Sequence, residues 1–382
     1  MTAPAADTLA QSLAKGAAGM ALLHIERAHA RAQPWQTAHT WIKAATSTPI
    51  IAAGHAGLYY GAPAISFILH ATQPAQTGRY RSAAAGIDAH VTRLAEHRLA
   101  HASARADRGE AASFAEYDLF YGLTGIAALL LRYTPEPDIL RPILRHLVRL
   151  THPTRDGLPG WWVGQDPDPR SPTPGGHANL GMAHGITGVL ALLASALRAG
   201  VSVEGQADAV QYICDWLDQW EQQGESGPWW PQWITRPELD TGRVRQPGPG
   251  RPSWCYGTIG IARAQQLAAI ALGDTTRQLH AEHALAACLA DPAQLGRLTE
   301  PGLCHGVAGV YQTTWRAARD ALTPSIIAHL PALALLLRQH AATGREHDDG
   351  LLTGTTGLAL ALHTSTHPAP PHSGWDTCLL IA

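Results

Sequence analysis

Two short strings carry the residues of this chain best suited to chemistry: Trp254-Cys255-Tyr256-Gly257 and Leu303-Cys304-His305-Gly306. Each sets a soft ligand just ahead of a Gly-x-x-Gly step. Together Cys255, Cys304 and His305 offer two thiolates and an imidazole, the three-ligand set of a zinc site whose fourth position stays open. A thiol that enters such a position is held as a thiolate. Neighbouring residues on a helix diverge, so an adjacent Cys and His can share one cation only from a loop or a helix terminus. A lone free cysteine is usually a small buried hydrophobe, and Cys214, Cys288 and Cys378, which lack comparable context, read that way. Two cysteines at equivalent places in consecutive repeats, one with a histidine attached, favour ligation.

The other chemical candidates sit at the same kind of step. His184 precedes Gly185 in Gly181-Met182-Ala183-His184-Gly185, and Asp118 stands ahead of Tyr121-Gly122. His184 reads as a proton donor or acceptor, against the plainer role of a hydrogen-bonded structural histidine. Asp118 reads equally as a partner for that histidine or as a helix N-cap. Arg251 and Tyr256 flank the two-thiol string. Either could stabilise charge developing on a carbonyl oxygen, and each has a simpler reading, a surface cation and a packed ring.

These strings belong to a repeat. Gly-x-x-Gly followed by an apolar run recurs at Gly16–Gly19, Gly122–Gly125, Gly185–Gly188, Gly257–Gly260, Gly306–Gly309 and Gly354–Gly357, with a degenerate copy at Gly61–Ala64. The runs, such as Ile126 to Leu131 or Val189 to Ala194, have no polar face, so each predicts a helix buried on every side. Between them lie amphipathic stretches. In one, Ile139, Leu140, Ile143, Leu144, Leu147 and Val148 share a face opposite Arg141, Arg145 and Arg149, and Pro142 fits only a first turn. An inner buried helix paired with an outer amphipathic one, seven times, predicts an all-α α/α toroid with seven inner and seven outer helices. The glycines fall at its narrow end, where crowding and positive φ would call for them. Residues just before the steps then converge on one mouth. Residues 1–382 read as one such domain, with long loops near 156–176 and 224–251, both rich in Pro, Gly and Trp and placed to act as lids or rims.

Composition narrows the classes. The chain has 382 residues, 46% hydrophobic and 15% charged, with a net charge of −2. Scattered cations at near-neutral balance argue against nucleic acid and anionic membrane as partners. Five cysteines are too few and too odd for a disulfide framework and fit a reducing cytoplasm. The apolar stretch Gly16 to Ile25 is closed by Glu26 and has no clean cleavage site. No run is long enough to predict a transmembrane helix.

The strings around Cys255, Cys304 and His184, with Leu351-Leu352-Thr353-Gly354, together resemble the lanthionine synthetase C family, over essentially the whole chain from Gly16 to Gly357. The paired Trp-Cys-Tyr-Gly and Cys-His-Gly strings are specific; the Gly-x-x-Gly steps alone carry little. The resemblance implies a seven-fold α/α toroid with a catalytic Zn2+ and the cyclase activity of lanthipeptide (lantibiotic) biosynthesis. It implies zinc ligation by Cys255, Cys304 and His305, an acid/base in His184, and catalytic roles for Asp118, Arg251 and Tyr256. The implied substrate is a precursor peptide with dehydrated Ser and Thr. A cysteine thiolate would add to dehydroalanine or dehydrobutyrine, forming a lanthionine or methyllanthionine ring. Enolate charge would meet Arg251 or Tyr256, each such donor being worth about 3–4 kcal/mol, and His184 would protonate the α-carbon. Ala64, in place of the second glycine of repeat two, is a mild departure. Since seven units use up the chain, it resembles a stand-alone cyclase working beside a separate dehydratase and an export transporter. Two alternatives stand beside this reading: a related enzyme that adds glutathione or another external thiol, and a non-catalytic scaffold stapled by zinc, which needs a fourth protein ligand. A zinc prenyltransferase on a similar toroid fits less well, since its ligand set is Asp, Cys and His.

Overall fold

The computed structural model describes residues 6–73, 75, 78–133, 138–167, 170–342, 348–367 and 369–382. In chain order its helices are α1 (Ala17–His29), α2 (Trp35–Ala45), α3 (Ala62–Ala71), α4 (Arg81–Arg108), the short α5 (Phe114–Tyr117), α6 (Leu123–Tyr133), α7 (Leu140–Arg149), α8 (Ile186–Arg198), α9 (Gln206–Gln219), the short α10 (Arg236–Thr241), α11 (Thr258–Leu272), α12 (Thr275–Ala290), the short α13 (Pro292–Leu295), α14 (Val307–Asp320), α15 (Leu330–Ala342) and α16 (Thr355–Ser365). The seven helices that follow the glycine steps are α1, α3, α6, α8, α11, α14 and α16. Each touches the next, and α16 closes on α1, so they form the inner ring of an α/α toroid.

The burial pattern follows the sequence. Every residue of α8 from Ile186 to Ala194 is buried, and each leucine so placed contributes about 1.5–3 kcal/mol over its exposed state. On α7, Leu140, Ile143, Leu144, Leu147 and Val148 are buried while Arg141, Arg145 and Arg149 face solvent. Pro142 is the third residue of that helix, where its missing N–H costs nothing.

Two details differ from expectation. Outer helices α2, α4, α7, α9, α12 and α15 back the inner ring, and among the described residues no seventh outer helix follows α16. The chain instead turns inward, and residues 373–381 are buried except for Thr377. The glycines are also needed for another reason. Among the first glycines of the steps only Gly61 has positive φ, at 73°. Elsewhere the demand is steric. A Cβ on Gly19, Gly125, Gly188, Gly260, Gly309 or Gly357 would run into the carbonyl oxygen of the residue six earlier. Each second glycine therefore lets the preceding loop lie directly on the first turn of its helix.

The two stretches expected as long loops meet each other. Strand β1 (His177–Asn179), just beyond the first, pairs antiparallel with β4 (Trp233–Thr235) inside the second, with Ala178 opposite Ile234. The second stretch also opens in a tight hairpin, β2 (Gln222–Gly224) with β3 (Gly227–Trp229), and contains α10. Among the described residues no helix is long and apolar enough to cross a membrane.

Candidate metal centre

A belt of backbone hydrogen bonds links the loops that precede the inner helices. The N–H of Leu119 donates to Ala183 (3.2 Å), Ala183 to Cys255 (3.3 Å), Cys255 to Cys304 (3.2 Å), Cys304 to Leu352 (2.8 Å), Leu352 to Ala14 (3.1 Å), and Leu13 to Tyr59 (3.0 Å). The seventh junction is made by rings, with Tyr59 stacked on Phe120 at 4.3 Å. Nearly all these residues stand two positions before a first glycine. The repeat thus aligns equivalent residues of adjacent loops as neighbours, whatever their side chains.

Cys255 and Cys304 occupy two adjacent places in this belt. The Sγ atoms of both and a ring nitrogen of His305 all lie within 4.8 Å of one another. His305 Nε2 is taken by Glu300 Oε2 at 2.6 Å, which leaves Nδ1 as the nitrogen facing the sulfurs. Glu300 Oε1 in turn accepts from Arg251 at 3.2 Å. Both thiols lie just ahead of a helix N-terminus, α11 and α14, where the dipole favours anions. The hydrogen bond with Cys304 pushes the Cys255 thiol well down, helped by His305 and Ser253 and opposed by burial. Cys304 is pushed up by the same bond and by burial. This donor set fits zinc: soft sulfur, an imidazole, and a carboxylate fixing the far nitrogen of that imidazole. The remaining thiols, Cys214, Cys288 and Cys378, are buried, and burial pushes each up to about 12. They pack, as expected.

The adjacent loops hold the other candidates. His184 Nδ1 lies 2.6 Å from Asp118 Oδ2. Asp118 is buried, and its Oδ1 accepts from the N–H groups of Tyr121 (2.6 Å) and Gly122 (2.8 Å). One carboxylate thus holds the loop leading into α6 with one oxygen and His184 with the other; ending α5 and four residues ahead of Gly122, Asp118 is a partner for the histidine and a loop clamp, not the N-cap of α6. Since a carboxylate only accepts, the proton lies on Nδ1 and Nε2 is the nitrogen left for chemistry. Phe120, Phe114, Tyr121 and Tyr256 collar the imidazole at centroid distances of 4.8, 5.8, 6.2 and 6.4 Å. Tyr256 is raised above its ordinary pKa, chiefly by burial, so its hydroxyl keeps its proton. That hydroxyl accepts from Asn179 Nδ2 at 3.4 Å. Arg251 sits beside the thiols but is engaged by Glu300.

The family model for the lanthionine synthetase C-like protein matches residues 7–380. The chain belongs to the lanthionine synthetase C-like family. Among curated proteins it is 26% identical over 257 residues to the nisin biosynthesis protein NisC of Lactococcus lactis subsp. lactis. That match spans 65% of this chain and 60% of the length of NisC. Among solved structures it is similar to a nisin cyclase, with a TM-score of 0.82 at 21% identity over 98% of this chain and 93% of that one.

In this lanthionine synthetase C-like chain, two polar residues at the site escape a reading of the strings. Glu300 orients His305, and Asn179 reaches Tyr256. The signal was an offset: Glu300, Arg251 and Asn179 each stand six residues before the first glycine of their repeat. Their types differ, so composition hides the equivalence. Gly181 is the third kind of omission, for a Cβ there would strike the Tyr256 ring and the Cys255 carbonyl. His177, fully buried beside Phe114 and Trp233, is held neutral, with burial lowering its pKa to about 4.

Proposed function

We propose that this chain is a zinc-dependent lanthipeptide cyclase, acting in the cytoplasm beside a separate dehydratase and an exporter. The observation that carries the reading is the meeting of Cys255, Cys304 and His305 in one cluster, one loop away from the Asp118–His184 pair. Zinc, when bound by these three residues, supplies a thiolate at neutral pH from a substrate cysteine whose free pKa is about 8.5. Every other part of the work falls to the chain itself. The aromatic collar of Phe114, Phe120 and Tyr121 narrows the space around His184 and displaces water from it. Asp118 fixes the imidazole so that Nε2 faces the reacting peptide, where it takes up the proton released by the substrate thiol and returns it to the α-carbon after sulfur has added to the β-carbon of dehydroalanine or dehydrobutyrine. The Tyr256 hydroxyl, kept protonated by burial, donates to the oxygen on which enolate charge collects. Arg251 offers a second cation to that oxygen once it turns from Glu300.

The test is a dehydrated precursor peptide, the purified protein and its bound metal. Stoichiometric zinc and loss of free peptide thiol without mass change, read by alkylation and mass spectrometry, are expected, and Cys304→Ala should lose both. Full ring formation by that variant would overturn the reading. A mass gain with glutathione in place of ring closure would assign the chain to external-thiol addition instead.

A further inference from the structure

We infer that the buried segment 372–382 positions both halves of the site, setting Cys255 through Trp254 and His184 through Tyr59 and Phe120. The inference rests on the reading of Cys255 and His184 given above.

The segment lies in the hole of the ring. On one side Glu26 of α1 accepts from the N–H groups of His372 (3.0 Å) and Ser373 (2.8 Å). On the other, the buried carboxylate of Asp376 accepts from Gln312 Nε2 (2.6 Å) and from Arg316 Nε and Nη2 (2.7 Å each), all on α14. Between and beyond these anchors the segment presents a row of carbonyls. Cys378 O accepts from Tyr59 Oη at 2.9 Å. Leu379 O accepts from Trp254 Nε1 at 2.9 Å. Ile381 O accepts from Arg263 Nε at 3.0 Å. Leu380, between the last two, sits at φ 54°, a left-handed conformation that costs a non-glycine residue about 1–3 kcal/mol. That bend aims Leu379 and Ile381 at the same repeat, the one that carries Cys255.

The first two acceptors, Cys378 O and Leu379 O, each touch a ring that borders the candidate chemistry. Trp254 is the residue before Cys255. Tyr59 stacks on Phe120 at 4.3 Å and 14°. Phe120 packs on His184 at 4.8 Å and on Trp254 at 6.4 Å. Tyr59, Phe120 and Trp254 thus make a continuous floor under the thiol and the imidazole. The floor rests on two consecutive carbonyls of one peptide. Packing alone would hold three apolar rings without directing them. Two hydrogen bonds of fixed direction define where each ring stands.

Two conservative substitutions separate the two arms. Trp254→Phe keeps an aromatic ring and removes the N–H, and Tyr59→Phe removes only the hydroxyl. In metal-stripped protein, peptide mapping gives the rates of Cys255 alkylation by iodoacetamide and of His184 carbethoxylation by diethyl pyrocarbonate. Buried Cys288 reports global opening. Trp254→Phe should change the Cys255 rate at least threefold and weaken zinc about tenfold in chelator competition, with Cys288 unmoved. Tyr59→Phe should change the His184 rate at least threefold and leave Cys255 and zinc affinity alone. Asp376→Asn, which loosens the anchor, should move both rates; if it does not fold, the first two variants still decide. Unchanged Cys255 and His184 rates in both phenylalanine variants, with only a lower melting temperature, would reduce the segment to packing and overturn the inference. Wild-type protein without zinc would refute the metal reading, while the reactivity contrast would still judge this one.

Discussion

Asp118 serves two masters, and an isosteric change separates them. In Asp118→Asn, Oδ1 can still accept from Tyr121 and Gly122, so the start of α6 stays tied down. The other oxygen becomes an NH2 donor 2.6 Å from His184 Nδ1. To accept from it, the imidazole must shed the Nδ1 proton and carry one on Nε2. The nitrogen facing the peptide then changes from acceptor to donor, and charge support for the protonated ring is lost. Charge-assisted hydrogen bonds are roughly twice as strong as neutral ones, so stability should fall by only about 1–2 kcal/mol. The proton-transfer contribution of about 10²–10⁴-fold in rate should largely vanish. Asp118→Ala should lose the rate equally but cost about 3–5 kcal/mol, because it also leaves two backbone N–H groups without their acceptor. Thiol-loss kinetics on a dehydrated peptide, with thermal melts of both variants, decide the matter. Asp118→Asn turning over within threefold of wild type would show that the carboxylate only holds the loop. Equal melting losses in the two variants would show that the bond to His184, not those from Tyr121 and Gly122, holds the loop.

Glu300→Gln keeps a hydrogen-bond acceptor for His305 but removes its charge, and Glu300 is partly exposed. Zinc affinity in chelator competition should fall about 5–10-fold; a change under twofold would contradict the orienting role. His177 takes up a proton in the unfolded chain below about pH 6.5 but not in the folded one until about pH 4. Stability is therefore full above the higher value and declines as pH falls between the two, by about 2 kcal/mol from pH 7 to 4.5. His177→Phe should flatten that slope in melts across the range, and an unaltered slope would rule His177 out as its source. Gly260→Ala drives a Cβ into the Trp254 carbonyl and should cost about 1–3 kcal/mol and weaken zinc. Gly86→Ala, on an open face of α4, should stabilise by about 0.5–1 kcal/mol, and equal melting shifts in the two variants would discredit the steric argument. Ala183→Cys in a Cys304→Ala background moves the second thiol to the opposite neighbour of Cys255 in the belt. Zinc affinity should recover at least tenfold over Cys304→Ala alone; no recovery would show that belt adjacency does not set the pair.

The parts of the fold and site that the sequence announced share a property: one residue type at one offset. Seven glycine steps with apolar runs gave the inner ring, because a helix with no polar face has nowhere to go but inside. Cys255 and Cys304 at the same offset in successive repeats gave their meeting. The pairing of Asp118 with His184 was readable only as one of two roles for the carboxylate, since the two differ in type and stand four and one residues before their first glycines. What stayed hidden depends on contacts that no local pattern encodes. Glu300 and Asn179 share an offset with Arg251 but not a chemistry. The missing seventh outer helix is hidden likewise, since Trp375, Cys378, Leu379 and Ile381 read as an ordinary apolar stretch until the ring around them is known.

The backbone belt explains why so loose a repeat can build a site that needs tight placement. The N–H of Cys255 meets the carbonyl of Cys304 as that of Leu352 meets Ala14, so alignment does not depend on what the side chains are. Intervals between steps vary, yet the belt and the second glycines return each loop to the same height on its helix. The side chains around each first glycine are thereby placed at equivalent heights whatever their type. In the other repeats the position two before the glycine is filled by Ala14, Tyr59, Phe120 or Leu352. In repeats four to six the side chains ahead of the glycine include a thiol pair, two histidines, an arginine and a carboxylate, side by side around one arc of the mouth. A site assembled this way can concentrate its soft ligands on one arc, with Asp118 of the neighbouring repeat reaching across to His184.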